Sequence, residues 1–175
     1  MLKNNMKQTK YQGTYITASE AVIGGHTYER VELMENVHVM PIRDKKILLI
    51  NEYRNHERSA RWKLITGWCD KENKTPQDHA IEELAEEVGM QAEIWEKFFS
   101  SATPNATVNI NSHYFVCKSI SELVVKIENP DTSKVLEYAW FGYSEIFDLI
   151  NEGKMFPSGS TMVALWYLYS LEKTR

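Results

Sequence analysis

Three glutamates, Glu83, Glu86 and Glu87, fall within five residues of one another in the segment PQDHAIEELAEEVGM. On a helix, residues three and four apart are neighbours, so the three carboxylates project together. Like charges on so small a face repel unless a cation or several donors neutralise them. An all-oxygen carboxylate set of this kind suits a hard divalent ion, magnesium or manganese before zinc. The plain alternative is a solvated acidic helix face, which Glu82 would simply extend.

The helix that must position these groups is legible in its punctuation. The pattern predicts a helix over about Pro76–Val88. Proline suits a first helical position because its missing N–H would have no partner there. Thr75 can cap the remaining amides, and Gly89 tolerates the left-handed residue that ends a helix. Ala80, Ile81, Leu84 and Val88 recur at helical spacing as the expected buried stripe.

With that register, residues 64–90 resemble the Nudix box: Gly, five residues, Glu, seven residues, then Arg-Glu-apolar-X-Glu-Glu-X-Gly-apolar. Glu83, Leu84, Glu86, Glu87, Gly89 and Met90 fall on its second half. Gly67 would open the box but lies one residue too far upstream, so the loop carries a one-residue insertion. Lys74 stands where the family has Glu, and Glu82 where it has Arg. Those two family residues are thought to pair across the loop–helix junction, and Lys74 with Glu82 would make the same pair with its charges exchanged. The resemblance implies that Glu83, Glu86 and Glu87 hold catalytic magnesium, with manganese as a substitute. The backbone carbonyl of Thr66 is implied as a further metal ligand.

Two strands, VHVMPI and KKILLINEY, are expected on either side of the charged turn Arg43–Lys46. The second ends in Glu52-Tyr53-Arg54, similar to the Gln-Tyr-Arg of the ADP-ribose and nucleotide-sugar hydrolase branch. By that likeness Arg54 meets a substrate phosphate, a task its bidentate fork suits; otherwise it is a surface arginine paired with Glu52 or Glu57. Arg61–Gly67 stands where the branch has Leu-Glu-Leu-Pro-Ala-Gly, with Lys63 replacing the glutamate, Ile65 the proline and Thr66 the alanine. A lysine at 63 removes a carboxylate and adds a positive charge, which could weaken one metal position or could stand in for it against a phosphate. Trp62 and Trp68 flank this segment and could stack on a base.

AEIWEKFFSS and SHYFVCKS read as strands around the loop Ala102–Thr107, and YAWFGY as another. No carboxylate occurs between Glu96 and Glu122, so that loop supplies no general base. Glu128, Asp131 and Glu137 lie ahead of the last strand, where relatives carry an acidic loop; Glu137 reads as structural. His79 and His113 are single in the sequence and expected to be structural. A helix capped by Ser144 and stopped by Gly153, and a closing helix from Ser158 or Ser160 to Leu171, complete the chain.

The bounds agree with one globular domain. The chain has 175 residues, 43% hydrophobic and 25% charged, enough for a real core. Its net charge of −4 and the lack of a Lys/Arg cluster argue against nucleic acid. No apolar run is long enough to span a membrane and no signal peptide is evident. Cys69 and Cys117 make neither a disulfide framework nor a zinc site, consistent with a cytoplasmic protein. Residues 1–10 are expected to be a flexible start and 11–175 one domain. Its first part, 11–34, is a hairpin around Gly24 and Gly25. By resemblance that hairpin crosses to a partner in a homodimer; alone, it would fold on its own domain.

The expected fold is therefore α/β, a mixed β-sheet sandwiched between helices. The expected reaction is magnesium-dependent hydrolysis of a nucleoside diphosphate linked to another moiety, ADP-ribose or a nucleotide sugar. Lys63, Lys74 and Glu82 keep open a second reading, a Nudix-fold sensor that binds a nucleotide without cleaving it. A third, a regulator joined to a DNA-binding domain, lacks a basic helix.

Overall fold

A computed structural model describes residues 7–55, 57–103, 107–124 and 134–173. The elements follow in the order β1 (Gln8–Gln12), β2 (Ile16–Ile23), β3 (His26–Leu33), β4 (Asn36–Arg43), β5 (Lys46–Arg54), β6 (Ser59–Lys63) and β7 (Ile65–Trp68). Then come α1 (Pro76–Val88), β8 (Met90–Ala102), β9 (Val108–Asn109), β10 (Asn111–Glu122), β11 (Lys134–Phe141), α2 (Tyr143–Asn151) and α3 (Gly159–Lys173).

The central sheet runs β11-β5-β4-β10-β8. β10 is parallel to β4 and antiparallel to β8, so the sheet is mixed, as expected. β4 forks: its first half pairs with β7, from Asn36↔Trp68 to Val39↔Ile65, and its end pairs with β5 at Ile42↔Ile47 and Arg43↔Lys46. The turn between them, Asp44-Lys45, has φ of 51° and 59°, the left-handed pair that a two-residue hairpin demands.

Both faces of this sheet are covered, which is why its central strands read as apolar runs rather than alternating ones. Met40, Leu49, Tyr114 and Val116 pack against Leu165 and Leu168 of α3 and Ile146 of α2. On the other face Val37, Val39, Leu48, Ile50 and Phe115 pack against Ala80 and Leu84 of α1. Helix, sheet and helix pair therefore form the expected α/β/α sandwich.

A second sheet, β1-β2-β3-β9, stands beside it. The β2–β3 hairpin turns at Gly24 and Gly25, both with positive φ, where the sequence places it. Strand pairing begins earlier than expected: Gln8, within the stretch read as a flexible start, already pairs with Glu20. Among the described residues no helix is long and apolar enough to cross a membrane.

α1 spans Pro76–Val88 with Thr75 as its cap and Gly89 in the left-handed conformation, as the sequence predicts. Its buried stripe differs by one flank. Ala80 and Leu84 are fully buried, but Ile81 is 40% exposed and His79, at 3%, takes the inner place. In α2 the cap is Gly142 rather than Ser144, because Glu145 reaches back to accept the Gly142 N–H at 2.6 Å.

Candidate active site

The start of α1 is locked by a reciprocal cap. Thr75 Oγ1 accepts the Asp78 N–H at 3.2 Å, and Asp78 Oδ2 accepts the Thr75 N–H at 2.8 Å. The preceding loop is fastened to the same helix by charge. Lys74 forms an ion pair with Glu82, the exchanged pair that the sequence predicts, and Lys71 lies 2.9 Å from the other oxygen of Glu82. These two ammonium groups, Lys74 first, hold the Glu82 carboxyl below its ordinary value. Lys71 also comes within 3.7 Å of Glu86.

Glu83 lies directly on Gly67. A Cβ at position 67 would stand 1.7 Å from Glu83 Oε1 and 2.1 Å from its Cδ, so Glu83 can hold this place only because residue 67 has no side chain. Its φ lies outside the left-handed region, so what glycine supplies here is room for Glu83 rather than backbone freedom. Gly67 pairs with Val37, and Thr66, whose carbonyl is a predicted ligand, with His38. Glu86 and Glu87 line one wall of a cavity of about 440 Å³; Val135, Leu136, Glu137 and Tyr138 of β11 line the other. Oε2 of Glu87 is buried from solvent.

Beside this cavity β5 supplies Glu52, opposite Val135 in the β5–β11 ladder. Glu52 is only 4% exposed and holds two cations: Lys63 Nζ at 2.8 and 2.9 Å from its two oxygens, and Arg54 Nε at 2.9 Å. Burial pushes the Glu52 carboxyl up, but Lys63 and Arg54 outweigh it and hold it below the usual carboxylate value. Arg54 also stands 3.9 Å from Glu57, so both partners named from the sequence are realised. Nearby His38 is buried and stacked on Tyr114; burial first, and then the charge of Lys63, press its pKa down to about 4.

Other expected residues are placed differently. Trp62 packs edge-on against Phe141 in the core, and Trp68 stacks on Tyr15 of the loop before β2. Glu137 accepts a hydrogen bond from Asn51 at 3.0 Å, in keeping with a structural role. His113, which looks single in the sequence, is part of a chain. Its Nε2 lies 3.2 Å from Glu35 and its Nδ1 3.1 Å from Ser100, while Asn111 donates to the other Glu35 oxygen. Only strand register could have revealed that set. Pro104, Asn105, Ala106, Glu128 and Asp131 lie outside the described residues. Cys69 and Cys117 are both free; burial, then the neighbouring Glu35, Asp70 and Glu83, push the Cys69 thiol up to about 11.

The groups expected to hold a metal, Glu83, Glu86, Glu87 and the Thr66 carbonyl, are all hard oxygens, and the side-chain-free surface of Gly67 gives the Glu83 carboxylate its seat. That chemistry fits a hard divalent cation. Among the described residues, no three His, Cys, Asp or Glu side chains already converge as a ligand cluster.

Comparisons with known proteins bear on the family and the fold. The family model described as NUDIX domain matches residues 32–164. A solved structure, "Crystal structure of ADP compounds hydrolase", superposes with a TM-score of 0.72 at 18% identity, over 99% of this chain and 96% of that one. No curated protein matched the sequence.

Proposed function

Since the chain belongs to the Nudix family, whose members hydrolyse diphosphate bonds and generally use divalent metal ions, we propose that it is a magnesium-dependent pyrophosphohydrolase. Its substrate is a nucleoside diphosphate linked to another moiety, ADP-ribose or a nucleotide sugar. The observation that carries the proposal is the seating of Glu83 on Gly67 at the head of the carboxylate face that Glu86 and Glu87 continue into the cavity. The similar fold of a protein named as an ADP compounds hydrolase supports the substrate class.

In this reading Glu83, Glu86, Glu87 and the Thr66 carbonyl hold Mg²⁺, with Mn²⁺ able to replace it. A divalent ion bound there polarises the phosphorus and lowers the pKa of the attacking water. The chain's own part is positional. α1 presents the carboxylates, the Lys74–Glu82 pair holds the loop against them, and Arg54 receives a substrate phosphate across the cavity. One of Glu86 and Glu87 orients the water. A homodimer built through the N-terminal sheet fits the exposure of Tyr11, Val22, Ile23 and Tyr28 on it, and free thiols suit a cytoplasmic setting.

Glu87→Gln is the direct test. The variant keeps the helix and the cap, so its melting temperature should stay near that of the parent. Turnover of ADP-ribose or a nucleotide sugar with magnesium should fall at least a hundredfold. Unchanged turnover would refute the assignment. No turnover by the parent on any diphosphate, with nucleotide binding retained in calorimetry, would make the protein a sensor instead.

A further inference from the structure

We infer that Glu52 and Lys63 are positioning residues that build an anion subsite around Arg54, one that accepts the phosphate lying across the cavity from the box glutamates. The inference deepens the proposed function and rests on it for the identity of the ligand. Its physical basis is a count of charges and donors. Arg54 and Lys63 share Glu52, while Glu57 lies between Arg54 and Arg61, so three cations face two carboxylates with a net charge of +1 in a cluster whose depth is graded. The Glu52 side chain is 4% exposed, that of Lys63 21% and that of Arg54 42%. The anion lies at the bottom and the guanidinium at the rim.

The donors are spent unevenly. Lys63 gives two hydrogens to the two oxygens of Glu52, and an ammonium has a third. Arg54 is held through Nε. That grip fixes the plane of the guanidinium and leaves its terminal Nη1–Nη2 edge, the pair that binds phosphate with two parallel bonds. Its contact with Glu57 is 3.9 Å, too long to hold that edge as a hydrogen bond. A buried carboxylate therefore serves an anion site without repelling the anion, because both of its oxygens are already neutralised. The cluster borders the cavity through one strand pairing. Glu52 stands opposite Val135, which lines the same cavity as Glu86 and Glu87.

Positioning and simple charge predict opposite signs, and this makes the test decisive. Binding of inorganic pyrophosphate is measured by calorimetry at pH 7.5 without divalent metal, so that turnover plays no part. Glu52→Gln makes the cluster more positive. If the cluster acted by charge alone, pyrophosphate would bind more tightly. If Glu52 orients the two cations, binding weakens by roughly tenfold. Should that variant fail to fold, Arg54→Lys at the exposed rim carries the same question. A lysine cannot be gripped through Nε while offering a fork, so it should lose roughly as much affinity as Arg54→Met. Tighter or unchanged binding in Glu52→Gln overturns the inference, and so does an Arg54→Lys variant that binds as the parent does. With substrate, Lys63→Met should raise KM several-fold and leave kcat near the parent value. If the parent turns over no diphosphate while these binding shifts hold, the enzyme assignment fails and the anion subsite stands.

Discussion

Gly67→Ala separates catalysis from folding more sharply than any change to a charged residue. The backbone there accepts alanine, and replacing glycine at a compatible position gains roughly 0.4–1 kcal/mol by restricting the unfolded chain. Against this, the new methyl would meet Glu83 Oε1 at 1.7 Å and its Cγ at 2.6 Å. Carbon and oxygen need well over 3 Å, so the carboxylate must retreat by roughly 1.5–2 Å into another rotamer, at a cost of about 0.5–1.5 kcal/mol. The two effects nearly cancel, and stability should change by less than about 1 kcal/mol. Catalysis has no such offset. A displacement of about 1 Å in a positioning group can cost on the order of a hundredfold, roughly 3 kcal/mol of barrier. The assay is kcat/KM on ADP-ribose or a nucleotide sugar with magnesium, beside a thermal melt and a cycle with Glu83→Gln. Because both changes act on one carboxylate, the double variant should be no worse than the worse single. Parent-like turnover in Gly67→Ala, or losses that multiply in the double variant, would refute the reasoning.

Two further outcomes follow from the charges. Lys74→Glu or Glu82→Arg alone should lower activity by loosening the loop from α1, and the exchanged double variant should recover it. The pair is exposed, so its effect on stability should stay within about 1 kcal/mol, and additive losses of activity would sink the idea. Stability should also fall as the solution is acidified, through His38. Its pKa drops from an ordinary 6.5 to about 4 in the fold, so between those values the unfolded chain takes up a proton that the folded chain refuses. The contribution is fully present above pH 6.5 and is lost as pH falls towards 4, roughly 2–3 kcal/mol by pH 4.5. Denaturant melts at pH 7.5 and 4.5 should show that loss in the parent and a much smaller one in His38→Asn.

What could be read from the sequence was mostly local. The cap, the stop and the length of α1 all depend on residues within one turn of each other, and so does the glycine pair of the β2–β3 hairpin. The Lys74–Glu82 pair was accessible because both ends belong to one loop–helix junction. Ile81 was misplaced because a narrow apolar stripe fixes the centre of a helix face but not its edges, and the imidazole of His79 fills the inner flank instead of an aliphatic side chain. The segment Arg61–Gly67 reads as one stretch, yet it divides at Leu64 into two strands with different partners. Lys63 with Glu52 and His113 with Glu35 join elements far apart in the chain. Side-chain type shows that each residue is chemically able to pair, and only register decides with whom.

The fork in β4 has a mechanical consequence. Glu83 is seated on the branch that carries Gly67, whereas Glu52, Lys63 and Arg54 ride on the branch of β5 and β6. The β5 branch joins β4 through only two residue pairs at the hairpin end. The jaw opening between the two branches is thus governed less by the ladder than by the wedge of Leu48 and Ile50 against Val39, Ile65 and Leu84. If the proposed subsites hold, trimming that wedge, for example by Ile50→Val, would alter the phosphate-to-phosphate span between them without touching a single polar group.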